Sequence, residues 1–104
     1  MSAAPEALAV ELWVSLASLL RSYTAAHGLN RDRQATVELG ENRITVRYAE
    51  RWLDLERRGA QVGWQREDGT SGEFELTEAG TVRTGEDERE MDMAAEQWAR
   101  EMMQ

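Results

Sequence analysis

Two stretches of this chain repeat their apolar residues at helical spacing, and between them the repeat shortens to every second residue. In the first stretch, Pro5 to His27, the side chains of Leu8, Leu12, Trp13, Leu16, Leu19, Leu20 and Tyr23 fall on one broad stripe at about 100° per residue. Pro5 suits a first helical position, where its missing N–H costs nothing, and Glu6 suits the positive end of the helix dipole. Gly28 is expected to stop this helix in the left-handed conformation, with Leu29 folding back on Tyr23. Val10, Val14 and Ala17 fall off the stripe and predict a second, smaller apolar patch on the far side.

The closing stretch, about Glu86 to Met103, places Met91, Ala94, Ala95, Trp98 and Met102 on one helical face. Thr84 is the expected N-cap, and Glu86, Asp87 and Glu88 would crowd the first turn, where the dipole favours carboxylates. Glu96 and Arg100 are spaced as an exposed ion pair one turn apart.

The middle alternates. Val37 and Leu39 flank Glu38; Ile44, Val46 and Tyr48 alternate with Arg43, Thr45 and Arg47; Leu53 and Leu55 alternate with Trp52, Asp54 and Glu56. Val62 and Trp64, then Phe74 and Leu76, continue the period of two, and Thr81 to Arg83 add a short last strand. Turn residues separate these runs at Gly40-Glu41-Asn42, Arg58-Gly59, Asp68-Gly69-Thr70-Ser71 and Ala79-Gly80. A turn at Ala49-Glu50 pairs Val46 with Leu53 and Ile44 with Leu55. One at Arg58-Gly59 pairs Leu55 with Val62 and Leu53 with Trp64, and a loop from Glu67 to Ser71 pairs Trp64 with Phe74 and Val62 with Leu76. Each connection keeps the apolar side chains on one face, as a sequential antiparallel meander requires.

Neither helix can bury its stripe alone, and the sheet offers one apolar face. The expected fold is therefore a single α+β domain over residues 1–104: a two-layer sandwich with an N-terminal helix, a five- to six-stranded antiparallel meander and a C-terminal helix. Both helices lie on one face of the sheet and the other face is wet. With 104 residues, 41% hydrophobic, the chain is long and apolar enough for one core.

Charge and composition narrow the chemistry. A net charge of −8 repels phosphate backbones and anionic lipid, so neither nucleic acid nor a membrane is the expected partner. No run approaches the about 20 apolar residues of a membrane span. The start, Met1-Ser2-Ala3-Ala4-Pro5-Glu6, lacks the basic opening of a signal peptide, which makes the cytoplasm the expected location. With no cysteine there is no thiol chemistry, and with one histidine, His27, a zinc or copper site has too few imidazole or thiolate donors. His27 reads as a helix-end residue and no nucleophile motif accompanies it. No catalytic, cofactor or metal-ligating set is identified. The acidic run Glu86, Asp87, Glu88, Glu90 and Asp92 lacks the glycine-assisted loop of a calcium site and reads as a helix start.

What remains is exposure. Trp13, Trp64 and Trp98 share parity or stripe with the core. Trp52 shares parity with Asp54 and Glu56 and so points to the wet face, beside Arg43 and Arg47. An exposed tryptophan flanked by arginine has the composition of an interaction hot spot, and guanidinium stacking on the ring is its structural counterpart. The helix patch around Val10 and Val14 is a second candidate surface. The sequence thus predicts a non-enzymatic module that binds a protein partner or forms a homo-oligomer such as a homodimer, with no cofactor, through Trp52, Arg43 and Arg47 or through Val10 and Val14.

The order helix, antiparallel meander, helix in a small acidic chain is also similar to the arrangement of the frataxin family. That resemblance implies, as the alternative, an acidic metal-binding or metal-delivery module, with Glu6 and Glu11 as the only acids on the first helix.

Overall fold

In the computed structural model, which describes residues 2–104, two helices pack on one another and on one face of a seven-stranded antiparallel sheet. The order is α1 (Glu6–His27), β1 (Thr36–Leu39), β2 (Arg43–Tyr48), β3 (Arg51–Arg58), β4 (Gln61–Arg66), β5 (Ser71–Leu76), β6 (Thr81–Thr84), β7 (Asp87–Glu90) and α2 (Met91–Met102). Every strand pairs with its sequence neighbour, so β1 and β7 are the two edges. The α+β two-layer architecture matches the expectation from patterning.

The extra strand comes from the acidic run. Gly85, at φ +61°, turns the chain so that Thr84 faces Asp87 and Val82 faces Arg89, and Asp87–Glu90 lies along β6 instead of opening the helix. Thr84 is therefore a strand residue, and α2 begins at Met91 with Glu90 as its N-cap. A glycine able to hold positive φ favours a hairpin over a helix start, and the three carboxylates of β7 are tolerated because the whole strand is exposed.

Pairing across β2 and β3 is as the sequence predicts, Ile44 with Leu55 and Val46 with Leu53. The next two hairpins are each shifted by two residues. The β3–β4 turn is Gly59-Ala60, so Leu55 faces Trp64 and Arg57 faces Val62; across β4–β5, Val62 faces Phe74 and Trp64 faces Gly72. An even shift preserves the face of every side chain, which is why the core survives it. Arg57, which shares the parity of Leu53 and Leu55, lies on the buried face and is paired by the shift with Val62. There its Nη1 donates to Glu6 Oε1 at 2.8 Å and to the Gly59 carbonyl at 3.1 Å, and its Nη2 donates to Asn42 Oδ1 at 3.0 Å. Trp64 lies flat over Gly72, where an added Cβ would sit 2.7 Å from ring atom Cζ2. The hairpin at Ala49-Glu50 holds Ala49 at φ +55°, the one non-glycine residue with positive φ among the described residues.

The centre of the core is Trp13, Leu16, Leu20, Ile44, Val46, Leu53, Leu55, Val62 and Leu76, all essentially without solvent contact. On α1 the buried row is Ala9, Trp13, Leu16, Ala17, Leu20 and Thr24, while Leu8, Leu12, Leu19 and Tyr23 flank it. Ala17 is thus core and not part of an outer patch. A helix wedged between a sheet and a second helix buries a wider arc than a single stripe, and small side chains at Ala17 and at Ala94, Ala95 and Ala99 of α2 permit close approach. Trp64 and Trp98 are half-buried at the core margin, with Trp98 tilted against Phe74 at 5.2 Å between ring centres.

Gly28 ends α1 at φ −97°, outside the left-handed region, and Leu29 is 80% exposed instead of folding onto Tyr23. The glycine answers a steric demand, because a Cβ there would lie 3.1 Å from Cε of the buried Met103. The other end of the chain is also fastened: the Ala4 N–H donates to the Leu76 carbonyl at 3.0 Å and the Glu78 N–H to the Ser2 carbonyl at 3.0 Å.

Candidate functional site

Among the described residues no element covers the sheet face away from the helices, and Trp52, Arg43 and Arg47 share it. Its layout follows from strand pairing. The Arg57 N–H donates to the Asn42 carbonyl at 2.8 Å, which fixes that pair as hydrogen-bonded. Pairs alternate along the ladder, so Arg43/Glu56, Thr45/Asp54 and Arg47/Trp52 are the non-hydrogen-bonded ones, whose side chains stand closest, with Cα atoms about 4.5 Å apart.

The first two pairs are closed. Arg43 Nη2 lies 2.7 Å from Glu56 Oε1 and 3.0 Å from Asp54 Oδ2, and Thr45 Oγ1 donates to Asp54 Oδ1 at 2.7 Å. Arg43 is therefore held among carboxylates. The third pair is open. Arg47 is exposed and has no ion pair or side-chain hydrogen bond among the described residues. Trp52 is half-buried on this face, and its backbone N–H donates to Glu67 Oε1 at 3.0 Å. No guanidinium stacks on Trp52; the cation–π contact of the described residues is Arg66 over Trp64, at 5.5 Å. The parity that places Trp52 outside the core holds, but the stacking that would have explained it structurally is absent.

Toward the Arg43/Glu56 end of the ladder, away from Trp52, the same face is hollow. Glu56, Gly63 and Glu73 stand in line across β3, β4 and β5, and the absent side chain of Gly63, with nothing within 4 Å of an added Cβ, opens a depression of about 480 Å³. Arg58 and Gln61 border it. Patterning missed this hollow, and the signal was a glycine inside an otherwise alternating strand.

Val10 and Val14 lie on the solvent side of α1, 43% and 51% exposed, and are not brought together with Trp52, Arg43 and Arg47. With Ala17 buried, their patch shrinks to two side chains. His27 Nε2 lies 2.7 Å from Glu96 Oε2, and Arg100 Nη1 lies 3.4 Å from Glu96 Oε1, so the histidine ties α1 to α2.

Two carboxylates are perturbed, neither on the open face. Asp68 is held below the ordinary carboxylate range because the Thr70 hydroxyl and N–H both donate to it within the β4–β5 loop. Burial pushes Glu101 up, but hydrogen bonds from Arg66, at 2.6 Å, and Gln97, together with the Arg66 charge, outweigh it and leave its carboxyl below the usual value. Both serve structure: Glu101 fastens α2 to β4, and Arg51 donates to the terminal carbonyls of α2 at Glu101 and Met102.

Among the described residues no group of three His, Asp or Glu side chains gathers where it could hold a metal ion. Glu6 is engaged by Arg57, Glu11 stands exposed, and the acids of β7 are strung along an edge. Among the described residues no helix is long and apolar enough to cross a membrane. No protein-family model, no curated protein and no solved structure matches this chain.

Proposed function

We propose that this chain is a small, non-enzymatic, cytoplasmic protein-interaction module whose contact surface is the open face of the sheet, centred on Trp52 and Arg47. The observation that carries the reading is the open pair itself. A large ring and a guanidinium are set side by side by register, yet each lacks the side-chain partner that the other two outward pairs of β2 and β3 possess. Aromatic and arginine side chains dominate the energetics of protein contacts, because each buries a large area at little entropic cost. The hollow at Gly63 adds a recess into which a partner side chain fits. Arg43, fixed by Asp54 and Glu56, forms the polar rim and is not an anchor.

The partner is another protein or a second copy of this chain. Light scattering over a concentration series reports self-association, and covalent cross-linking in cells followed by mass spectrometry reports other partners. Trp52→Ala is expected to reduce either product, whereas Val14→Glu leaves both unchanged. A strictly monomeric protein whose cross-linked products ignore Trp52→Ala would refute the reading.

A further inference from the structure

The two sheet edges are built differently. Strand β7 is exposed throughout and presents Asp87, Glu88 and Glu90, so charge guards it against another strand. Strand β1 has one charged residue, Glu38, and that side chain belongs to the open face, not to the edge. The Gly40 N–H donates to the Arg43 carbonyl at 2.7 Å, which makes that pair hydrogen-bonded and, by alternation, Glu38/Thr45 and Thr36/Arg47 as well. Val37 and Leu39 therefore turn their N–H and C=O groups outward, where no strand lies. Among the described residues only the Val37 carbonyl is engaged there, by Arg21 Nη2 at 3.2 Å.

A groove of about 530 Å³ runs along this edge between β1 and the C-terminal end of α1, lined by Arg21, Thr24, Leu29, Arg31, Ala35 and Val37 among others. Its apolar element is Leu29, 80% exposed. Its charge is the reverse of the chain's net −8: among the described residues, the ion pairs engage Arg43, Arg57, Arg66, Arg83, Arg100 and His27, and none reaches Arg21, Arg31 or Arg33. Asp32 is the one acid in the connection between α1 and β1.

The geometry points to β1 as a strand-addition site for an extended, carboxylate-bearing segment of a partner protein. The segment's backbone pairs with the outward amides of Val37 and Leu39, an apolar side chain rests on Leu29 and Ala35, and a carboxylate meets Arg21 and Arg31. Arg21 then has two roles. Without a partner it covers the Val37 carbonyl, and with one it turns to the incoming carboxylate and releases that carbonyl to the added strand. A second copy fits the edge poorly. A two-fold axis through Val37 would bring both Arg21 side chains together, and one through Glu38 would set two carboxylates opposite each other. This site is separate from the Trp52 face and does not depend on it.

The test uses the full chain and two fluorescein-labelled peptides of alternating valine and threonine, one ending in two glutamates and the other in two lysines. Fluorescence anisotropy is expected to show the acidic peptide binding at least about tenfold tighter, and Arg21→Glu with Arg31→Glu to reverse that order. Hydrogen exchange in the unaltered chain supplies an independent readout: the Val37 and Leu39 amides exchange fast alone and slowly with the acidic peptide. Leu39→Pro, which removes an outward N–H without breaking the β1–β2 ladder, is expected to weaken the acidic peptide, and Trp52→Ala to leave it unchanged. Absent or equal binding of the two peptides, or protection at other amides, would overturn the proposal. So would protection of Val37 and Leu39 by self-association alone, since it would give the edge to a second copy.

Discussion

Strand β3 shows the molecule's two environments one residue apart. Leu55 projects under the helices and is wholly without solvent contact, while Glu56 projects outward and is exposed. Buried positions across the sheet satisfy one shared constraint, volume. Outward positions satisfy each other in pairs, Arg43 with Glu56 and Thr45 with Asp54, until the sequence of closed pairs stops at Arg47 and Trp52. The comparison teaches where to look for function when no sequence motif names a chemistry. A core explains its own residues, so the informative ones are large side chains that neither the core nor a surface partner accounts for.

The contrast is broken most sharply from inside. Leu55→Ala removes a fully buried side chain between β2 and β4 and is expected to cost about 2–5 kcal/mol of unfolding free energy in urea titration. Gly72→Ala comes next. Its new Cβ meets a rigid indole at 2.7 Å, so Trp64 must leave its seat, at about 1–3 kcal/mol by the same titration.

Glu101→Gln tests the tie between the helix layer and β4, and its effect depends on pH. The folded-state carboxyl titrates below its ordinary value of 4.5, so its contribution is complete above that value and is lost as pH falls through the depressed one. Thermal unfolding should therefore separate Glu101→Gln from the unaltered chain at neutral pH, with the variant lower, and the two curves should converge in acid. Its half-exposed setting keeps this effect the smallest of the three.

The sheet's face assignment was legible from period-two alternation, because an even slip in register leaves it intact, as the β3–β4 and β4–β5 hairpins show. The slip itself was not legible. Arg58-Gly59 and Gly59-Ala60 both offer a glycine to the turn, and spacing does not choose between them; in the structure Gly59 takes the first turn position at φ +57°. The acidic segment after Thr84 misled because carboxylates suit both a helix start and an exposed edge strand, and Gly85 decided for the strand. Ala17 was misplaced because a sequence stripe cannot register the second helix that widens it. Of the site, Trp52, Arg43 and Arg47 were placed on a common face by parity. That Arg43 is engaged and Arg47 free depends on Asp54 and Glu56 reaching one and not the other, which spacing does not encode.

The most direct measurement compares folding and association in one variant. Trp52→Ala removes a half-buried ring that no helix covers, so its urea midpoint should stay within about 1 kcal/mol of the unaltered chain in free energy. Its association, read by light scattering and by cross-linking, should fall. Loss of stability comparable to that of Leu55→Ala, or full stability with association unchanged, would contradict the account.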